Sequence, residues 1–260
     1  MIFRQLFDPE TSTYTYLLAD EASRQAILVD TALEQFDRDR TLLRELELDL
    51  RYTLETHLHA DHVTAAGRFR EELGSRVVVG AMSGVANADI ALREGDTVCF
   101  GGHVLEARLT PGHTAGCVTY ACREAGTAFT GDALLIRGCG RTDFQKGDAV
   151  TLFGSVREKI FSLPDDTLLY PGHDYKGRTV TTVAEEKRFN PRLGLDKSET
   201  DFVGIMKGLH LAYPKKMDIA VPANLECGLV AAPGTAPSPV ADVMETLGRQ
   251  DAEMWMGMGI

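Results

Sequence analysis

The segment THLHADH, residues 56–62, is the feature that most restricts how this chain can fold. It places three histidines and one aspartate within seven positions, directly after an apolar-rich run. In an extended segment residues two apart share a face, so His57 and His59 can point the same way, whereas Asp61 and His62 fall in the turn that opens the next helix. Four ligand-type side chains therefore converge at one strand-to-helix corner, and the remaining chain must fold around them.

Three further ligand-type residues lie in turns that contain glycine. They are His113 in TPGHTAG, Asp132 in FTGDALL and His173 in YPGHDYKG. Glycine lets the backbone and the side chains approach a shared point. The two remaining histidines, His103 and His210, are interpreted as surface or hydrogen-bonded core residues. The set as a whole is sufficient for one or two metal ions.

The pattern of apolar residues indicates a mixed α/β protein. Short β-rich runs fill the first two thirds: QAILVDT, YTLETH, RVVVG, VTYACRE and TLLYPGH. Helical patterns lie between and after them, one ending at Gly74 and another broken by Pro164. A third begins with Ser198 and Asp201 at the spacing of a capping box. The last third of the chain is therefore expected to be mostly helical.

Length, charge and cysteine content exclude several classes of protein. A chain of 260 residues can bury a full core, and no apolar run is long enough to span a bilayer. The net charge of −11 opposes binding to nucleic acid. The five cysteines form no CxxC pair, so they are expected to be reduced. The N-terminal stretch has the character of neither a signal nor a transit peptide, so the cytoplasm is the expected location.

The order HxHxDH, distant His, Asp, His resembles the metallo-β-lactamase superfamily over about residues 10–180. The resemblance implies an αββα sandwich with the metal site in a cleft along one edge of the two sheets. We expect a single domain of this fold over residues 1–230, followed by a short C-terminal linker and tail over residues 231–260. The fold alone does not determine the reaction, because hydrolases, nucleases and redox enzymes all share it.

Three motifs narrow the resemblance to the persulfide dioxygenases, also called sulfur dioxygenases. They are GDALLIRGCGRTDFQKG at 131–147, PGHDYKG at 171–177 and VPANLECGL at 221–229. Enzymes of this family oxidise glutathione persulfide with O₂ and water to sulfite and glutathione at a mononuclear, non-haem Fe²⁺. The resemblance therefore implies an iron oxidoreductase with one Fe²⁺ per chain, whose partners are glutathione persulfide and O₂.

The family's site residues map onto this sequence motif by motif. The implied iron ligands are His57, His113 and Asp132. The implied catalytic residues, which hydrogen-bond to the ligands and to iron-bound water, are His59, Asp61, His62 and His173. Two imidazoles and one carboxylate form the facial triad of iron(II) oxygenases, which leaves positions open for substrate and O₂. The residues by themselves leave a second ion open, since all its ligands are present.

Glutathione carries two carboxylates, so an acidic chain must offer it local positive charge. The cations near the motifs make Arg141 the expected contact, together with Tyr175. Cys139 and Cys227 also lie in the family-like motifs, but a free cysteine usually behaves as a small buried hydrophobe. We therefore assign no catalytic role to either cysteine.

Two other functions are compatible with the same histidines. A glyoxalase II-type thioester hydrolase would use them around two metal ions and would also bind a glutathione conjugate. A metal-binding, sulfur-sensing module would use them without catalysis, but it would need broken ligands or a partner domain, and neither is seen. The Met- and Trp-bearing end of the tail is expected to pack on the body or on another chain, which leaves a homodimer open.

Overall fold

The computed structural model describes residues 1–229, and the expected linker and tail at 231–260 lie outside the described residues. Two six-stranded sheets pack face to face, and helices cover the outer face of each. The predicted αββα sandwich is confirmed. Short strands with intervening helices form this sandwich because each sheet buries one face against the other sheet and the opposite face under helices.

The first sheet has the order β1-β2-β3-β4-β5-β6. Its strands are β1 (Ile2–Asp8), β2 (Thr13–Ala19), β3 (Gln25–Val29), β4 (Asp49–Leu54), β5 (Arg76–Gly80) and β6 (Ile90–Leu92). The β1-β2 and β2-β3 pairs are antiparallel, whereas β3 to β6 run parallel. Parallel neighbours need crossover connections, and the two longest of these contain α1 and α2.

The second sheet has the order β12-β11-β10-β9-β8-β7. Its strands are β7 (Thr97–Phe100), β8 (His103–Leu109), β9 (Val118–Cys122), β10 (Thr127–Gly131), β11 (Leu168–Pro171) and β12 (Thr181–Thr182). Only β10 and β11 are parallel neighbours. The carboxyl ends of these two strands therefore lie at the same edge of the sheet.

The described helices are α1 (Phe36–Glu45), α2 (Ala66–Leu73), α3 (Ala149–Ser155), α4 (Val183–Phe189), α5 (Glu199–Lys207) and α6 (Met217–Leu225). The predicted stop signal is confirmed, because Gly74 ends α2 in the left-handed conformation. The predicted capping box is also confirmed, since Ser198 and Asp201 exchange hydrogen bonds at the start of α5. Within residues 1–229, none of the helices has the length and apolar character needed to cross a membrane.

The main core lies between the two sheets. Its side chains include Tyr16 and Ile27 from the first sheet and Tyr120 and Phe129 from the second. The outer face of the first sheet is buried under α1 and α2, and that of the second under α3 and α5. Burial of each such side chain contributes roughly 1.5–3 kcal/mol. The two sheets are thereby held in a fixed relation, and the loops at their common edge are built on a rigid base.

Candidate metal centre

Four strands deliver the ligand-type residues to one edge of the sandwich. His57 follows β4, His113 lies between β8 and β9, Asp132 follows β10, and His173 follows β11. The approach of β10 to the first sheet depends on Gly131, which has a φ of +51°. A Cβ atom at this position would lie 2.4 Å from the Thr56 hydroxyl. Only glycine allows the two strand ends to come this close.

The three predicted metal ligands are brought together. His57, His113 and Asp132 each offer one ligand atom, and the three atoms lie within 4.8 Å of one another. Nε2 of His113 is 3.9 Å from Oδ2 of Asp132, and the two imidazole rings are 4.9 Å apart. His57 and Asp132 are buried. Two nitrogen donors and one carboxylate oxygen thus surround a common point that borders the cleft described below.

The hydrogen bonds of the two imidazoles fix which nitrogen can bind a metal. Nδ1 of His113 lies 2.6 Å from the carbonyl oxygen of Arg141. A carbonyl only accepts, so Nδ1 donates and the lone pair is on Nε2. The Thr56 hydroxyl donates to Asp30 and lies 2.9 Å from Nδ1 of His57, from which it can accept. Both imidazoles therefore present a free Nε2 lone pair, which is the arrangement that a metal ligand requires.

Burial and charge place His57 and Asp132 in the protonation states that bind a metal ion. Burial lowers the pKa of His57 well below its usual value, and the neighbouring His59 lowers it further, so the ring is neutral. Burial would raise the pKa of Asp132, but the nearby His173 and His57 outweigh that effect and hold it far below the ordinary value. Neutral imidazoles and an ionised carboxylate are the ligand forms that bind metal ions.

The four predicted catalytic residues form a hydrogen-bonded layer around the triad. His173 bridges two carboxylates, with Nδ1 2.7 Å from Oδ1 of Asp132 and Nε2 3.0 Å from Oδ2 of Asp61. Nδ1 of His62 is 3.0 Å from the same Asp61 oxygen. His59 instead points Nε2 toward Asp30, at 3.2 Å. Of the four, only His173 hydrogen-bonds to a residue of the triad.

The ligand atoms for a second ion are also in place. Nδ1 of His59 and Nε2 of His62 are buried and have no hydrogen-bond partner within residues 1–229. Together with Asp61 they form another group whose ligand atoms lie within 4.8 Å of one another. The residues that the sequence offers for a second ion are therefore grouped together in the structure.

The triad lies in a cleft of about 720 Å³, a size typical of small-molecule sites. Several cations line it: Arg137, Arg141, Lys176, Arg178, Arg192, Lys215 and Lys216. Fewer acidic residues do so: Glu10, Asp61, Asp132 and Asp174. The cleft therefore carries a local excess of positive side chains in a chain of net charge −11.

Both predicted substrate contacts line this cleft. The Tyr175 ring is 72% exposed and stacks on His173 at a centroid distance of 6.0 Å. The Arg141 guanidinium is bound by both oxygens of Asp143, at 2.6 and 2.8 Å, and donates to the Ala212 carbonyl at 2.7 Å. A substrate carboxylate could bind this fork only by displacing or sharing Asp143.

The two motif cysteines are buried. Cys139 packs with its sulfur 3.8 Å from that of Met206, and burial raises the pKa of its thiol to about 11. Burial also raises the pKa of Cys227 to about 11. Both thiols are therefore protonated near neutral pH, as expected for packing residues.

Sequence reasoning missed the residues that hold the histidines in place. Asp30 follows β3 and accepts hydrogen bonds from the Thr56 amide and hydroxyl, both at 2.7 Å. Thr13 lies 2.9 Å from Nε2 of His173. Asn224, in α6, contacts the backbone of the THLHADH segment. Of these residues, only Asp30 could have been found from the sequence. It is a charged residue directly after the apolar run AILV, and site residues are often found at such strand ends.

Comparison with known proteins identifies the family of this chain. The sequence profile of the metallo-β-lactamase superfamily matches residues 8–173. The chain is 53% identical to mouse (Mus musculus) persulfide dioxygenase ETHE1 over 234 residues, which cover 90% of this chain and 91% of the mouse protein. The chain belongs to the persulfide dioxygenase family of the metallo-β-lactamase superfamily. Membership of this family indicates an oxidoreductase that carries a metal cofactor.

A solved structure from the same family supports the assignment. The crystal structure of ETHE1 from Myxococcus xanthus matches with a TM-score of 0.85 and 53% identity, covering 88% of this chain and all of that chain. The hydroxyacylglutathione hydrolase GloC of Haemophilus influenzae is 35% identical over 172 residues, which cover 58% of this chain and 79% of GloC. The higher identity to the dioxygenases, 53% over about nine tenths of the chain, therefore favours the oxidoreductase over both the thioester hydrolase and the sulfur-sensing module.

Proposed function

We propose that this protein oxidises glutathione persulfide with O₂ and water to sulfite and glutathione, using one Fe²⁺ held by His57, His113 and Asp132. The observation that carries the proposal is the triad itself, two imidazoles and one carboxylate whose ligand atoms lie within 4.8 Å of one another, with the Nδ1 atoms of both imidazoles hydrogen-bonded elsewhere. This donor set is typical of non-haem iron(II) oxygenases. Bound Fe²⁺ would supply the change of oxidation state that O₂ chemistry requires and that zinc lacks.

The surrounding residues have separate tasks in this proposal. His173 holds the Asp132 carboxylate in one orientation through Oδ1, which leaves Oδ2 for the metal. Asp30 and Thr56 orient the ring of His57 in the same way. Asp61 is partly exposed in the cleft and is ionised, because His173 and His62 outweigh the effect of burial and keep its pKa far below normal. It can therefore accept a hydrogen bond from a water molecule and orient it in the cleft, but its lowered pKa makes it too weak a base to remove the proton.

The cationic cleft suits a tripeptide with two carboxylates. Tyr175 offers an exposed ring at the cleft wall, next to His173. Asp143 already pairs with the Arg141 guanidinium. A glutathione carboxylate would therefore have to displace Asp143 or share the guanidinium with it. We include Arg141 and Tyr175 in the proposal as glutathione contacts on this basis.

Metal content and oxygen uptake test the reaction. Protein made under iron-replete conditions should contain about one iron per chain and should consume O₂ with glutathione persulfide while forming sulfite in matched amount. The rival is a dinuclear thioester hydrolase, which the second group of ligand atoms favours. Two tightly bound zinc ions, or faster hydrolysis of S-lactoylglutathione than O₂ uptake with the persulfide, would support that rival instead.

Substitution of Arg141 tests the glutathione contact. Arg141→Ala should keep normal iron content, because His113 contacts only the Arg141 backbone. Loss of a charge-assisted contact of about 1.5–3 kcal/mol lowers kcat/KM roughly 10- to 150-fold. Arg141→Lys should also be poor, since lysine lacks the planar fork. Arg123→Ala, which removes a surface arginine paired with Glu106, is the matched control. An unchanged KM in Arg141→Ala would remove this residue from the substrate site.

The proposal also covers where the enzyme is located in the cell and whether two chains form a homodimer. We place it in the cytoplasm, whereas the mouse and human relatives are mitochondrial proteins. Cell fractionation tests the location, and light scattering of the purified chain tests the homodimer.

A further inference from the structure

Asn224 connects α6 to the segment that carries the histidines. Its Nδ2 donates to the carbonyl oxygens of His59 and His62, each at 2.9 Å, and its Oδ1 accepts from the Thr64 amide at 2.8 Å. These three backbone groups lie between β4 and α2, outside regular secondary structure. The Asn224 side chain is buried, so one amide satisfies three groups that would otherwise be costly to bury.

The turn after α6 contacts the same region independently. The Gly67 amide donates to the Cys227 carbonyl at 2.8 Å. Gly228 has a φ of +78°, and a Cβ atom there would lie 1.9 Å from the Thr64 carbonyl oxygen. The end of α6 is therefore fixed against this segment by direct backbone contact as well as by Asn224.

The backbone of residues 59–62 and two side-chain hydrogen bonds connect this contact to the predicted metal ligands. Asp61 lies between the two carbonyls that Asn224 binds, and it accepts from His173, which in turn binds Asp132. At the other end, His57 is only two residues from His59. A shift of this backbone segment would therefore move Asp61 and, through His173, the orientation of Asp132. Metal sites tolerate changes of only a few tenths of an ångström.

We propose that Asn224 is a positioning residue, and that its contacts from α6 set how tightly the centre holds its metal ion. Its hydrogen bonds go to backbone groups and it does not line the cleft, so it acts through the backbone of the THLHADH segment. The inference depends on the metal centre but not on iron or on persulfide oxidation.

Cobalt binding by the full-length chain is the test. Asn224→Ala removes all three hydrogen bonds, and Asn224→Asp keeps an acceptor for Thr64 but removes both donors. Each variant should bind Co²⁺ about 10- to 100-fold more weakly, as expected when support for metal ligands is lost. The visible absorption bands of bound Co²⁺ should also change, because they depend on ligand geometry. Arg157→Ala, which removes donors to the Gly194 and Lys197 carbonyls, is the control and should leave both readouts unchanged.

A folded Asn224→Ala protein with the affinity and the cobalt spectrum of the wild type would overturn the proposal. Should both Asn224 variants fail to fold, the unmutated protein provides the deciding measurement. The side-chain amide resonances of Asn224 should shift when Zn²⁺ is added, and those of Asn190, which binds Gly138 and Glu186, are the internal reference. Resonances of Asn224 that stay in place would refute the coupling. Absence of persulfide oxidation would refute the proposed reaction but leave this inference intact.

Discussion

Replacement of His173 by alanine tests whether this residue binds a metal ion itself or only supports a residue that does. His173 is buried and bridges Asp132 and Asp61, and the Thr13 hydroxyl lies 2.9 Å from its Nε2. Burial opposes protonation of the ring, but the two carboxylates outweigh it and raise the pKa of His173 well above its usual value. The bonds on both sides are therefore charge-assisted.

The expected size of the effect follows from these bonds. Asp61 keeps its bond from His62 after the change, so the main loss is the 2.7 Å bond to Asp132. A charge-assisted hydrogen bond contributes about 1.5–3 kcal/mol, and each 1.4 kcal/mol corresponds to about a tenfold change. We expect kcat/KM for glutathione persulfide to fall about 10- to 150-fold, while all three triad residues still hold the iron.

The assay combines iron analysis with an oxygen electrode. His173→Ala should contain about one iron per chain and should show the reduced rate of O₂ uptake. His103→Ala is the matched control, because His103 pairs with Asp20 at the start of β8 and does not line the cleft. If the metal content fell from two ions in the wild type to one in His173→Ala, His173 would be a ligand of a second ion. The claim that it only supports Asp132 would then be wrong.

The other predictions concern ligation, thiol reactivity and packing. His113→Ala and Asp132→Ala should each abolish metal binding and activity together, as measured by metal analysis and O₂ uptake, since each removes one of three protein ligands. Cys99 is exposed and should react with iodoacetamide at pH 8. Burial raises the pKa of the Cys139 thiol to about 11, so only about 0.1% of it is thiolate at pH 8. Mass spectra should therefore show Cys139 unmodified until the pH approaches 11. Phe202→Ala should lower the free energy of unfolding in urea by about 3–5 kcal/mol without changing the metal content, because Phe202 of α5 is fully buried in the core between the helices and the second sheet.

Local patterns made much of the fold predictable. The stop at Gly74 and the capping box at Ser198 depend on residues within one helical turn, so the sequence displays them directly. The THLHADH segment and the three glycine-containing turns likewise marked every residue of the triad, because ligand-type side chains at strand ends are a local signal. The family resemblance supplied the assignment of roles among them.

Sequence alone was enough to predict the ligand-type residues, the αββα fold and the acidic character of the chain. Which side chains hold those residues in place, and which cations are already paired, depends on the tertiary structure. Arg141 pairs with Asp143 only two residues further on, but folding is needed to bring the Ala212 carbonyl, 71 positions away, to the same guanidinium. Asn224 lies 165 positions from His59 and carries no local sign of its role. Hydrogen bonds over such separations depend on how the sheets and α6 pack, and packing is a property of the whole chain.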